Sequence, residues 1–479
     1  VWQAVLSTIL TLLVGLPTAW VFARFRFPGR RLLYAATLVP FVLPTLVVGT
    51  AFLNLLGPRG VIGVDISGTL GIILIAHVFY NFAVVVRGVG SYWQRIDPRL
   101  EQAAQSLGAT PWRAFRTVTL PLLAPAIAST AALVFLFSFT SFGVVLLLGD
   151  LTHTTIEVEI WRQATAFLRL DVASTLAVLQ IIGIGVVLVI HGHYERRLAA
   201  QFHHHTARLR RPRSGPERRS VIAILIAAGA FLFVPLAVLV GRSLNQPSGG
   251  IGLENYVNLI DLPVRSAAFI DPFVAIGNSL RFAIIAVAIA TVIGLLAAAV
   301  LSYTSPRLSR SFDLFVMLPL GTSAVTIGFG FLVALDWPFD LRTSLVLIPI
   351  AHALVGIPFV VRSISPTLGS IQHRLREAAA TLGATPLQTW LHVDLRLVGR
   401  AVLVGAAFAF AISMGEFGAT TFIARPASPT IPIAIFRYLG RPGEAPFGAA
   451  LALSSILMLV TGLSILIIDA IGSRQADEQ

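Results

Sequence analysis

Eleven stretches of this chain are apolar over a length that lets a helix cross a bilayer, at about residues 1–23, 32–57, 69–90, 122–148, 172–192, 220–241, 277–303, 312–335, 343–361, 398–423 and 447–469. Hydrocarbon offers backbone amides no water, so a run that crosses its roughly 30 Å thickness must satisfy its own hydrogen bonds as a helix. Hydrophobic residues make up 56% of the sequence and charged ones 12%, with a mean hydropathy of +0.84, and these values exclude an ordinary soluble domain. The fold class predicted is an all-α polytopic membrane protein with eleven spans. Cysteine is absent, so neither a disulfide framework nor a thiolate metal site is available.

Charge orients the spans. All 35 basic residues are arginine, and the alternating loops share them unequally. Segments 24–31, 87–117, 195–219, 304–310, 362–400 and 470–479 hold 25, whereas the opposite loops hold nine. Arginine-rich loops mark the cytoplasmic side, which predicts a cytoplasmic C-terminus. The net charge of +13 therefore reports topology before anything else. The basic stretch "HHHTARLRRPRSGPERR" at 203–219 reads as a solvated linker beside anionic lipid headgroups rather than as a nucleic-acid site.

The two ends of the chain repeat one another. At an offset of 275, Ile75-Ala76-His77 matches Ile350-Ala351-His352, Val85-Val86-Arg87 matches Val360-Val361-Arg362, and Leu107 through Pro111 matches Leu382 through Pro386. The match continues with Phe142-Gly143 on Phe417-Gly418, Thr155-Ile156 on Thr430-Ile431, and Arg162 on Arg437. Upstream the offset is 279, pairing Gly15 with Gly294, Pro40 with Pro319 and Gly49 with Gly328. Six spans separate equivalent helices, so the copies run parallel about an axis along the membrane normal. The organisation predicted is a first repeat at 1–194, a cytoplasmic linker at 195–219 and a second repeat at 220–479. The helix at 220–241 has no first-half counterpart, which predicts a twelfth span before Val1.

A polar, alanine-rich dozen occurs in both copies, "EQAAQSLGATPW" from Glu101 and "REAAATLGATPL" from Arg376. Asp97 is a good N-cap with Pro98 in the first helical position, and Gly108 suits a left-handed helix end. Thr110-Pro111 repeats the cap-and-proline signal. The pattern predicts a short helix, a sharp turn and a second helix rising into the membrane. Ala103-Ala104 and Ala378-Ala379 leave one side without bulk, a shape that fits a groove on another protein. A plain interfacial loop helix is the alternative reading.

These segments resemble the Glu-Ala-Ala loop of binding-protein-dependent ABC importer permeases, with a glycine four residues past the second alanine and Leu-Pro about a dozen residues further on. The second copy has Glu377-Ala378-Ala379 and Gly383; the first has Gln102-Ala103-Ala104 and Gly108, with Glu101 displaced by one place. Leu120-Pro121 completes the first copy, where the second has Leu395-Arg396. The resemblance spans the chain and is to the fused, two-half permeases of thiamine and ferric-iron importers; "SFGVVLLLG" (141–149), "TTIEVEIWRQA" (154–164) and "GEFGATTFI" (415–423) are nearer the thiamine type. It implies that Glu101, Gln102, Ala103, Ala104, Gly108, Glu377, Ala378, Ala379 and Gly383 form two coupling helices docked on two cytoplasmic ABC ATPase subunits. It also implies an external solute-binding protein and a place in the bacterial inner membrane, with thiamine, or else ferric iron, as the solute.

In the spans 122–148 and 398–423, which follow the coupling segments, Ser141 and Glu416 occupy matched positions and are the candidates for lining the translocation pathway. A carboxylate inside an apolar span is costly unless paired or facing water, and Glu416 would suit a cationic solute. His77 and His352, also matched, read as helix-to-helix hydrogen bonders rather than metal ligands. Phe135, Phe137, Phe139 and Phe142 can contact an organic ring but fit packing roles better. Pro40, Pro44 and Pro319 are expected to kink or interrupt their helices.

Without lysine there is no Gly-x-x-x-x-Gly-Lys-Ser/Thr loop, and no soluble segment is large enough for an ATPase domain. The chain is thus expected to be no enzyme and to bind no cofactor, with ATP and Mg used by its partner. A secondary transporter with parallel repeats is the main alternative. A membrane-embedded enzyme would want clustered ligands, which "HHH" at 203–205 does not supply.

Overall fold

The computed structural model describes residues 1–200, 209–212, 215–245, 250–261, 270–338, 340–342 and 344–477. The histidine run at 203–205 lies outside them. Every regular element among the described residues is a helix. Nine helices are long and apolar enough to cross a membrane, and two bent pairs raise the number to eleven if each pair is one span.

Two compact units emerge, Val1–Phe41 with Val48–Arg242 and Val42–Val47 with Ser243–Gln479. In the first, helices Trp2–Arg24, Leu70–Trp93 and Leu120–Phe139 pack together around Ala19, Ala23, Val85, Val89 and Leu123. In the second, Pro272–Tyr303, Leu347–Ser370 and Leu395–Gly415 enclose an alanine-rich core including Ala286, Ala290, Ala353 and Ala409. Lipid is as apolar as leucine, so helices in it associate by close packing, which small residues permit. Helix Gly215–Ser243, counted from sequence with the second repeat, packs within the first unit: Val221 joins Val21 and Phe25, and the Phe231 ring lies 5.9 Å from that of Phe79.

The repeat is also a repeat of contacts. A Cβ on Gly15 would lie 2.7 Å from Val85, and one on Gly294 would lie 2.6 Å from Val360. Both pairs are matched residues, so the same helix crossing is built twice on a glycine.

Prolines break the expected pair of spans. Arg30–Val42 and Thr45–Leu56 meet at 98° with Pro44 in the break, and Ser311–Pro319 and Ala324–Ala334 meet at 89°. At the second break Ser323 caps the new helix by accepting from Val325 N–H at 3.0 Å. Pro17, Pro125 and Pro235 lie inside continuous helices, so a proline alone does not end one.

Two expected spans need correction. The runs at 122–148 and 398–423 are not single helices; they end at Phe139 and Gly415 and restart as Gly143–Leu148 and Thr420–Ile423. Hydropathy stays high across both breaks because the side chains remain apolar while the backbone departs from the helix.

Gly294→Ala should lower the thermal stability of the purified protein in detergent, because forcing a methyl against the Val360 backbone-anchored branch costs about 1–3 kcal/mol. Gly277→Ala, with open space around its Cβ, should raise stability by about 0.5–1 kcal/mol through helix propensity. Equal shifts in the two melting curves would remove the glycine crossing from the account.

Candidate functional site

The two polar dozens form the helix–turn–helix read from sequence. Helix Pro98–Ser106 starts at Asp97, whose carboxylate accepts from Arg99 N–H at 2.9 Å. Its equivalent, His373–Thr381, follows Gln372 without a side-chain cap. Both helices close on a glycine at positive φ, +90° for Gly108 and +84° for Gly383. There Ala109 N–H donates to Ala104 C=O at 3.1 Å, and Ala384 N–H to Ala379 C=O at 3.0 Å. Such a six-to-one bond needs a left-handed residue, the conformation glycine adopts without strain. Thr110 and Thr385 then cap the next helix, the latter in a reciprocal capping box with Gln388.

Neither short helix buries a residue. Gln102 and Ala103 are exposed beside half-buried Ala104, and Glu377 and Ala378 beside half-buried Ala379. At the tip of each turn a leucine projects into solvent, Leu107 at 90% and Leu382 at 88% exposure. The apolar side chain is thus held out on a polar turn stiffened by its backbone bonds. Glu377 lies 3.5 Å from His373 on the open face. Glu101 is turned the other way, accepting from Arg24 at 3.5 Å and from the Thr119 hydroxyl at 3.3 Å. The one-place displacement seen in sequence therefore separates an inward carboxylate from an outward one.

Each turn leads into the membrane through a π-helical turn, Phe115–Thr119 in one copy and Trp390–Asp394 in the other. Sequence reasoning missed these wide turns. Pro121 is not their cause, since Arg396 stands at its place in the second copy. No residue pattern announced them, although such turns recur at functional sites.

The second cluster lies at the helix breaks. Ser141 is buried, its Oγ 2.8 Å from His77 Nε2, while His77 Nδ1 is 3.0 Å from Ser7 Oγ. Thr155 donates its hydroxyl to Ser141 C=O at 2.9 Å. In the second copy Glu416 Oε1 accepts from Ala419 N–H at 2.8 Å, and Oε2 accepts from Thr420 N–H at 3.0 Å and from the Thr420 hydroxyl at 2.5 Å. His352 Nε2 lies 2.8 Å from Thr420 Oγ1 and 3.2 Å from Glu416, and its Nδ1 lies 2.8 Å from Ser413. The matched histidines are thus hydrogen-bonded between helices, and each engages the matched residue at the break, Ser141 or Glu416. Glu416 is 6% exposed and does not face bulk water. Its carboxylate caps the helix that restarts at Thr420.

The phenylalanines pack on their own chain: Phe135 stacks on Phe139, Phe137 meets Phe41, and Phe142 meets Trp161. No cluster of three metal-ligating side chains occurs among the described residues.

Glu416→Gln would turn an NH2 group toward backbone N–H groups in a buried site, and an orphaned buried donor costs about 1–3 kcal/mol. We expect a lowered melting temperature in detergent, and a smaller drop for Ser141→Ala, which removes one hydroxyl partner. A Gln variant of unchanged stability that loses uptake would instead mark the carboxylate as a solute contact.

Residues 12–200 and 290–476 match the family described as binding-protein-dependent transport system inner membrane component. The chain is similar to the thiamine transport system permease protein ThiP of Brucella abortus (strain 2308), 28% identical over 466 residues that cover 92% of this chain and 81% of that protein. It is similar to the protein of the same name in Escherichia coli (strain K12), 28% identical over 501 residues that cover 99% of this chain and 88% of that one. The sulfate transport system permease protein CysT of Escherichia coli (strain K12) is 39% identical over a shorter stretch, 31% of this chain and 56% of its own. With the family's unit present twice along one polypeptide, the chain belongs to the inner membrane components of binding-protein-dependent transport systems.

Proposed function

We propose that the chain is the fused permease subunit of an ATP-driven ABC importer, that its solute is thiamine, and that Pro98–Ser106 and His373–Thr381 are its coupling helices. The observation that carries this is the pair of equivalent, capped, glycine-closed turns that hold Leu107 and Leu382 out in solvent. A partner's groove is the natural place for such a knob, and the absence of a phosphate loop in this sequence assigns hydrolysis to that partner. Two ATPase subunits, one per turn, match the two copies. Thiamine is supported by the printed names of the relatives that align with most of the chain.

The mechanism follows from where the turns join the body. Closure of the ATPases on ATP displaces both short helices, and the helices rising from them, Leu120–Phe139 and Leu395–Gly415, move next. These two end at the breaks held by Ser141 and Glu416. We assign to those residues the shaping of the pathway by fixing the breaks, not contact with the solute. The parallel halves then rock between states open to either side. An external binding protein delivers the solute.

Orientation follows by parity. Both turns lie on one side of the membrane if the bent pair between them, Ser311–Pro319 with Ala324–Ala334, is a crossing, which gives six crossings from one turn to the other. That count and the arginine asymmetry support a cytoplasmic position for the turns, the linker and the C-terminus. Repeats at 1–194 and 220–479, joined by 195–219, fit that count.

Gly108→Val or Gly383→Val places a β-branched residue at positive φ, at about 1–2 kcal/mol, and should tilt the docking helix. ATP hydrolysis stimulated by loaded binding protein in proteoliposomes should fall while membrane insertion persists. Unchanged coupling in both variants would remove the coupling assignment.

The outward Glu377 makes charge-assisted bonds to a basic groove stronger than the neutral ones of Gln102. Glu377→Ala should therefore weaken ATPase retention in a pull-down more than Gln102→Ala; equal losses would count against the asymmetry. Uptake of labelled thiamine by the reconstituted complex tests the solute, and uptake of ferric iron in its place would reassign it.

A further inference from the structure

The root of each short helix is held by three side chains from matched positions. In the first copy these are Arg24, the last residue of helix Trp2–Arg24, Glu101 on the short helix, and Thr119, which ends the π turn. In the second copy the same places hold Tyr303, Arg376 and Asp394. No position keeps its residue. Each set nevertheless contains one cation, one acid and one hydroxyl.

The bonding follows the rotation. Glu101 is the first hub: its Oε2 accepts from Arg24 at 3.5 Å and from Thr119 at 3.3 Å. Asp394 is the second hub: it accepts from Arg376 Nε at 2.9 Å and from the Tyr303 hydroxyl at 2.7 Å. Arg376 also lies over the Tyr303 ring, 4.7 Å from its centre. The hubs sit on different elements, one on the short helix and one on the π turn, yet both join the same three elements. Thr119 and Asp394 are buried and Arg24 and Arg376 are mostly so. Losing either charged member alone would strand the other where water screens it poorly.

We propose that these triads are two clasps of one design, which fix each short helix to the end of a long helix, Trp2–Arg24 or its match Pro272–Tyr303, and to the π turn, so that a push on the turn moves the half as a body. The six residues are positioning residues. Their role as transmitters rests on the reading of the short helices as coupling helices; their role as clasps does not. What matters in this account is one cation, one acid and one hydroxyl spread over three sites, not which site holds which.

The test exchanges the sets. Glu101→Arg places a cation against Arg24 and should free the short helix; the triple variant Arg24→Tyr, Glu101→Arg, Thr119→Asp rebuilds the second clasp in the first half and should restore it. The reverse exchange uses Arg376→Glu alone and with Tyr303→Arg and Asp394→Thr. Because the chain lacks cysteine, spin labels can be placed at Leu13 and Ser106, and at the matched Val292 and Thr381, all on exposed positions.

In the full-length permease the distance distribution should broaden in each single variant and narrow again in its triple. In the complex with its ATPase, stimulated hydrolysis should be lost and regained in parallel. A single variant with wild-type distances, or triples no narrower than their singles in both halves, overturns the clasp. Narrowing without recovered hydrolysis overturns transmission alone. A wild-type chain that binds no ATPase would sink the coupling reading and leave the distance arm to decide the clasp.

Discussion

A helix that is interrupted inside an apolar body frees amides that lipid cannot solvate, and the most distinctive features of this protein answer that constraint. Glu416 is tolerated in hydrocarbon because two backbone N–H groups and a hydroxyl meet its oxygens. In the first copy the bonds at the break differ: the Thr155 hydroxyl donates to the Ser141 carbonyl, and the Ser141 hydroxyl meets His77. Each break is then pinned to a neighbouring helix by its histidine. The chain keeps one structural plan in both halves and changes the chemistry that serves it.

The same economy appears at the other end of these helices. A positive-φ glycine, a threonine cap and a π turn recur in both copies, while the charges that brace them have changed places. Under the proposed coupling role, stiff turns with exposed leucines, rooted by buried polar groups, would convert a push from outside into motion of a packed helix. Tight glycine crossings, Gly15 on Val85 and Gly294 on Val360, pack the helices of each half closely.

Much of this was legible in the residues. The apolar runs located the spans, the offset of 275 found the two copies, and Asp97, Gly108 and Thr110 wrote out the turn. Those signals are local: length, spacing and cap chemistry depend on neighbours in sequence. Prolines at 44 and 319 marked real breaks for the same reason. The breaks at Thr140–Phe142 and Glu416–Ala419 were hidden, because hydropathy averages over side chains and does not register where the backbone leaves the helix. The inward turn of Glu101 was equally hidden, as its partners Arg24 and Thr119 lie 77 and 18 residues away. The swapped packing of helix Gly215–Ser243 belongs to the same class of long-range fact.

The claim on which the account rests is that the two turns are where an ATPase is gripped. The absence of native cysteine allows single thiols to be introduced without background. Leu107→Cys and Leu382→Cys, each treated with a short bifunctional thiol reagent in membranes containing the ATPase of the same transport system, should both yield a permease–ATPase product. Leu151→Cys, equally open at 77% exposure but in a loop of the opposite set, should yield none. Absence of product from both turns, or equal product from Leu151→Cys, would contradict it.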